Sequence, residues 1–111
     1  MRVFALKSCD TCRKALSDLR AAGYAPQVID IRADGISDLD LNQILTQFGD
    51  AAINRASTTW RGLSDPDRGL DAAQLLRTYP TLLKRPVIEH QGRWTQGWAR
   101  AVQDLYRPGI Q

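Results

Sequence analysis

Two cysteines three residues apart, in the run Cys9-Asp10-Thr11-Cys12, are the side chains best suited to nucleophilic or redox chemistry. They follow a short apolar run, Val3-Phe4-Ala5-Leu6, and a polar loop, Lys7-Ser8. After them Ala15, Leu16, Leu19 and Ala22 recur at helical spacing until Gly23. The first sulfur therefore falls at or just before a helix start, and the second lies one turn inside. Free backbone N–H groups and the positive end of the helix dipole stabilise an anion there, which lowers a thiol pKa. Cys9 is the expected nucleophile. Lys7, Arg13 and Lys14 should favour its ionised form and Asp10 should oppose it. Cys12 is placed to close a small disulfide and to resolve a mixed disulfide formed at Cys9. Two alternatives compete. Zinc needs four ligands, whereas the chain offers two Cys and one His, His90, so no metal is expected. The pair could also be inert and buried, as small apolar side chains often are.

The elements that position these residues follow from period and punctuation. Val3 to Leu6 reads as a buried strand, the segment up to Gly23 as a helix, and Gln27 to Ile31, opened by Pro26, as a second strand. Ser37 caps a second helix, with Asp40 three residues on and an apolar stripe of Leu41, Ile44, Leu45 and Phe48 before Gly49. The polar middle, from Asn54 to Gly69, leads into a helix over Asp71 to Tyr79 that turns Leu75 and Leu76 inward. Pro86 to His90, Gln91-Gly92, and Arg93 to Thr95 read as a hairpin. A last helix from about Trp98 to Tyr106 should bury Trp98, Val102 and Leu105 and end at Pro108-Gly109. The order β-α-β, helices, β-β-α demands one parallel crossover and one antiparallel hairpin. The expectation is a single α/β domain over 1–111: a thioredoxin-like fold with a four-stranded mixed sheet and a helical insert at about 36–80.

Size and charge narrow the function. One domain fits 111 residues, and 15 Lys and Arg against 12 Asp and Glu suit small anions but are too thin an excess for a nucleic-acid binder. The apolar run near the amino end is too short for a signal peptide or a membrane span, so a cytoplasmic location with reduced cysteines is expected.

Arg85-Pro86 is the remaining feature. A cis proline opening the third strand of a thioredoxin-like fold lies beside the active cysteine, and Arg85 would then face the Cys9 loop. There its guanidinium could hold an oxyanion or the carboxylate of a thiol co-substrate. The alternative is a solvated arginine before a trans proline. Trp60, Trp94 and Trp98 could form a platform beside the site or serve packing, and Thr58 and Thr59 could bind an anion or cap a turn.

Ser8-Cys9-Asp10-Thr11-Cys12-Arg13-Lys14-Ala15, Thr58-Thr59-Trp60-Arg61 and Lys84-Arg85-Pro86, taken together, resemble the ArsC/Spx family, in particular its YffB-like branch of arsenate reductase-like proteins. The resemblance covers nearly the whole chain. It implies a thiol-dependent reductase with Cys9 as the catalytic cysteine and Arg85 as a functional arginine; Cys12, which departs from the single-cysteine pattern of the family's glutathione-dependent reductases, is expected as a catalytic residue on its own chemistry. Lys7, Arg13, Arg55, Arg61 and Pro86 are expected to bind the substrate, which would be a disulfide, a mixed disulfide or an oxyanion such as arsenate. The resemblance further implies glutathione as co-substrate, with glutaredoxin as electron donor, and no tightly bound cofactor. The family's arsenate reductases surround the cysteine with three arginines. Here the late one falls at Gly97 and the middle one has no clear counterpart among Arg55 and Arg61, which argues against arsenate. Cys12 instead resembles the redox switch of Spx, a regulator that binds RNA polymerase, and that is the alternative function.

Overall fold

The computed structural model of the chain describes residues 1–108. Two compact units emerge: Met1–Asp30 with the chain from Arg85 onward, and Ile31–Lys84. The first is the α/β unit. Its strands are β1 (Arg2–Ala5), β2 (Gln27–Asp30), β3 (Val87–His90) and β4 (Arg93–Gln96), ordered β2-β1-β3-β4. β1 pairs β2 in parallel and β3 antiparallel, and β3 pairs β4 antiparallel, as the crossover and the hairpin require. The hairpin turns on Gln91 and Gly92, both at positive φ, which matches the right-handed twist of the flanking strands.

Helix α1 (Asp10–Ala21) covers one sheet face because Cys12, Ala15 and Leu19 fall on one side of it and are buried. It stops where Gly23 takes φ 96°, letting the Gly23 and Tyr24 N–H groups close onto the Arg20 and Leu19 carbonyls at 3.0 and 3.1 Å. Val3, Ala5, Ile88, Trp98 and Tyr106 complete this core. The last helix, α6, spans Arg100–Leu105, and here the sequence expectation fails in phase. Gly97 at φ 76° and an extended Ala99 hold Trp98 outside the helix. The helix therefore starts later, Leu105 turns outward at 40% exposure, and Tyr106 is buried instead. Its hydroxyl shares a 2.8 Å hydrogen bond with Thr95 Oγ1, so the buried polar atoms satisfy each other. Trp98 stacks on the Tyr106 ring and donates its indole N–H to Asp18 at 2.9 Å, tying this segment to α1. Gly109, expected to help end the helix, lies outside the described residues.

The second unit holds α2 (Asp38–Phe48), α3 (Thr58–Arg61), α4 (Asp65–Arg68) and α5 (Ala72–Thr78). Ser37 caps α2 through the Asp40 N–H, and Asp71 caps α5 in a reciprocal box with Gln74. Leu41 and Ile44 of α2 and Leu75 and Leu76 of α5 are buried in it, together with Ile31, Ala52, Ile53, Leu82 and Leu83. The caps of the one-turn helices are Ser57 and Ser64, so neither Thr58 nor Thr59 is the cap. Thr59 instead bonds Thr81 at 3.2 Å.

The shift in phase at α6 is open to measurement by urea unfolding. Tyr106→Ala should cost about 3–5 kcal/mol, as for other buried aromatics, and Tyr106→Phe about 1 kcal/mol for the lost hydrogen bond. Leu105→Ala should cost no more than about 1 kcal/mol. The reverse ranking would mean that Leu105 is the core residue.

Candidate active site

Cys9 is the N-cap of α1, in extended backbone geometry. Its sulfur accepts the Cys12 N–H at 3.4 Å, while its own N–H bonds the Leu6 carbonyl at 3.0 Å and its carbonyl takes the first helical bond, from Arg13 at 3.0 Å. The thiol is thereby fixed by backbone on both sides. It is partly exposed, whereas Cys12 is only 1% exposed, and both are free thiols.

The two thiols differ in character. Burial pushes Cys9 up, but the Cys12 N–H, the Cys12 thiol, and the hydrogen bond and charge of Arg85 together outweigh it and leave its pKa lowered. Cys12 is pushed up to about 11, first by burial and then by the hydrogen bond and negative charge at Cys9, against a favourable Leu6 backbone contact. One proton is thus held on the inner sulfur while the outer one ionises.

Arg85 reaches this site from the far end of the sequence through the cis Arg85-Pro86 bond that leads into β3. The Gly97 N–H bonds the Pro86 carbonyl at 2.9 Å and holds the strand ends together. Arg85 is thereby brought to Cys9 and Cys12, with Pro86 as its neighbour in the chain. The electrostatic assignment changes. Arg13 spends its guanidinium on the Asp10 carboxylate and on the Lys7 carbonyl, the latter at 3.4 Å. Lys14 pairs with Asp18 at 3.2 Å, and Lys7 is exposed. The cation acting on Cys9 is Arg85, not these sequence neighbours.

Arg55 and Arg61 belong to the second unit and are engaged there. Arg55 lies over the Trp60 ring at 5.1 Å and donates to the Asp50 carbonyl at 3.3 Å. Arg61 donates to the Ser57 and Ala56 carbonyls at 3.5 and 3.1 Å. The three tryptophans each have packing partners within their own unit. Trp94 stacks on Phe4, Trp98 on Tyr106, and Trp60 stands with Arg55 and Arg68. His90 packs edge-on against Tyr24, at the opposite end of β3 from Pro86. Among the described residues no group of three or more His, Cys, Asp or Glu side chains is placed to hold a metal ion. The influence of the Cys12 thiol on Cys9 follows from cysteines at both N-cap and N3, a pairing that neither residue signals alone.

Alkylation by iodoacetamide against pH should show Cys9 reacting first, with a midpoint below the ordinary thiol value, and Cys12 reacting far more slowly because it is buried. Arg85→Ala should move the Cys9 midpoint upward, while Arg13→Ala should leave it nearly in place. Stability follows the same logic. Because the native state releases the Cys9 proton before the unfolded chain does, wild type should gain stability over Cys9→Ser as pH rises from the lowered pKa to the ordinary thiol value, and lose that gain as pH falls. The Cys12 thiol works in the opposite sense, costing stability between the ordinary value and about 11. Flat curves in chemical denaturation from pH 5 to 9 would contradict the Cys9 assignment.

Comparison with known proteins places this geometry. The profile of the ArsC family matches residues 4–102. An uncharacterized protein from Haemophilus influenzae is 41% identical, over 82% of this chain and 84% of that protein. Among solved structures, one described as a YFFB protein superposes with a TM-score of 0.83 at 29% identity, covering 95% of this chain and 96% of its own. An arsenate reductase (ArsC) related protein from Brucella melitensis gives 0.73 at 30% identity, covering 95% and 92%. The thioredoxin-like α/β arrangement is shared, the match spans both units, and the chain belongs to the ArsC family.

Proposed function

We propose that this protein is a thiol-dependent reductase that uses glutathione to reduce mixed disulfides through Cys9. The observation that carries this reading is the Cys9 sulfur at the α1 N-cap, accepting a backbone N–H and facing the Arg85 guanidinium. Membership of the ArsC family and likeness to an arsenate reductase related protein support a reductase in general. In the first step the Cys9 thiolate attacks the glutathione sulfur of a mixed disulfide. A Cys9–glutathione disulfide forms and the substrate thiolate leaves, taking a proton from solvent. In the second step a glutathione thiolate attacks that disulfide, giving oxidised glutathione and returning the Cys9 thiolate. Glutaredoxin is an alternative reductant for the same intermediate.

Cys12 is poorly suited to resolve the intermediate at neutral pH. It is buried, and burial, the largest of the influences that raise its pKa, persists when Cys9 is held in a disulfide. Its part is to donate into the Cys9 sulfur. Arg85, whose guanidinium acts on that sulfur, is suited in kind to a carboxylate of glutathione. Arsenate is disfavoured as substrate because Gly97 supplies no side chain and Arg55 and Arg61 already serve Trp60 and local carbonyls.

A glutathione-reductase-coupled assay with the mixed disulfide of glutathione and 2-hydroxyethanethiol tests the cycle. Cys9→Ser should abolish turnover and Cys12→Ser should retain it. Arg85→Ala should raise KM for glutathione about tenfold to a hundredfold, corresponding to the loss of about 1.5–3 kcal/mol from a charged hydrogen bond. No turnover by wild type, with Cys9 alkylating normally, would overturn the reading; capture of RNA polymerase by that same inactive protein would favour the regulator.

A further inference from the structure

The reacting sulfur and its cation sit on separate pieces of chain. Cys9 begins helix α1, whereas Arg85 precedes β3 and is held through Pro86 to the end of β4. Apolar packing of Cys12, Ala15 and Leu19 seats α1 on the sheet. Such packing is non-directional and fixes the axial position of a helix poorly. The hold of a guanidinium on a thiolate depends on distance and on the alignment of its N–H groups, so a small displacement of either piece weakens it. Registering the two calls for a directional bond.

Trp98 supplies it. The β3–β4 ladder ends at Val87 opposite Gln96, and just beyond that rung the Gly97 N–H holds the Pro86 carbonyl at 2.9 Å. The next residue, Trp98, donates its indole N–H to the Asp18 carboxylate of α1 at 2.9 Å. That indole is buried, and its N–H would be costly to leave without an acceptor. Its freedom is small, because its ring stacks on Tyr106 and its own carbonyl accepts from the Gln103 side chain at 2.8 Å. On the helix side the Trp98 N–H first, and then Lys14, lower the Asp18 pKa, so the acceptor stays a carboxylate while Cys9 titrates. The charged neighbours of Asp18 are Lys14, at 3.2 Å on its own helix, and Arg107, which lines the same surface hollow.

We infer that Trp98 is a positioning residue of the site: by hydrogen-bonding Asp18 it registers the Gly97–Pro86 corner, and Arg85 with it, against the helix that Cys9 caps. The inference rests on Cys9 being the reacting thiol, as the reductase reading has it, and adds a side chain that acts on the thiol through Arg85. Asp18 lies nine residues after Cys9, about 13 Å along the axis at 1.5 Å per residue, which exceeds the screening length of about 8 Å at physiological salt. Its own charge therefore has little direct effect on the sulfur, and the effect it has opposes the thiolate. Loss of the clasp and loss of the charge act on Cys9 in opposite directions.

Iodoacetamide rates against pH on Asp18→Ala, Asp18→Asn and Trp98→Phe provide the test. Asp18→Ala and Trp98→Phe should move the Cys9 midpoint upward and slow alkylation at pH 7 about threefold, while the limiting rate at high pH stays at the wild-type value. Asp18→Asn keeps an acceptor for the indole and loses only the charge, so its midpoint should stay at or below that of wild type. Added to Arg85→Ala, none of the three should move the midpoint further. Trp98→Phe retains a ring to stack on Tyr106; should it unfold, Asp18→Ala, at a side chain 41% exposed, carries the test alone. Unmoved midpoints in the folded clasp variants would overturn the inference, as would an upward shift that persists without Arg85 or one that Asp18→Asn shares in full. Each of these failures leaves the reductase reading standing, since the coupled assay on wild type decides that separately. A wild-type Cys9 midpoint at the ordinary thiol value would overturn both.

Discussion

The hydrogen bond from the Cys12 N–H to the Cys9 sulfur is the interaction on which the rest of the site depends. Helix N-termini leave backbone donors without intrahelical partners, and Ser, Thr, Asp or Asn usually supplies the acceptor. A neutral thiol accepts weakly, and a thiolate accepts well. With cysteine as the cap, helix α1 is best closed when Cys9 is ionised. Capping and activation are therefore one interaction, so any change that weakens the start of α1 also weakens the nucleophile.

The sheet and its helices serve that point. Burial of Cys12, Ala15 and Leu19 against Val3, Ala5 and Ile88 sets the rotation of α1 and so the direction of its first turn. Cys12 lies at the inner edge of this core, which raises its pKa and makes it a proton donor to its partner rather than a second anion. Two ionised sulfurs so close would repel strongly, and the environment separates their titrations. Arg85 completes the arrangement, since its hydrogen bond and charge favour the Cys9 thiolate.

The helical unit has its own logic. Its short helices owe their existence to caps, with Ser57, Ser64 and Asp71 each holding an N–H three residues on. Trp60 organises the exposed side of this unit by lying under the guanidinium groups of Arg55 and Arg68, at 5.1 and 6.0 Å. Arginines occupied in this way differ from a trio poised for an oxyanion, and the composition of the chain alone does not distinguish the two.

Local features were legible from the chain. The strand-loop-helix placement of Cys9, the caps at Ser37 and Asp71, the Gly23 stop and the Gln91-Gly92 turn each depend on residues within a few positions of one another, and pattern reads such relations directly. Phase and partnership were not legible. A positive φ at Gly97 moved the start of α6, so Tyr106 took the buried place that periodicity assigned to Leu105. Lys7 and Arg13 are nearest to Cys9 along the chain, yet the first stays in solvent and the second turns to Asp10. Electrostatic energy depends on distance through space, and only the folding of β3 against β1 brings the Arg85 guanidinium to the sulfur. The sequence alone thus determined which atom could become a nucleophile, because helix capping is local; the tertiary structure decided which cation stabilises it and which sulfur keeps the proton, because charge proximity and burial are not.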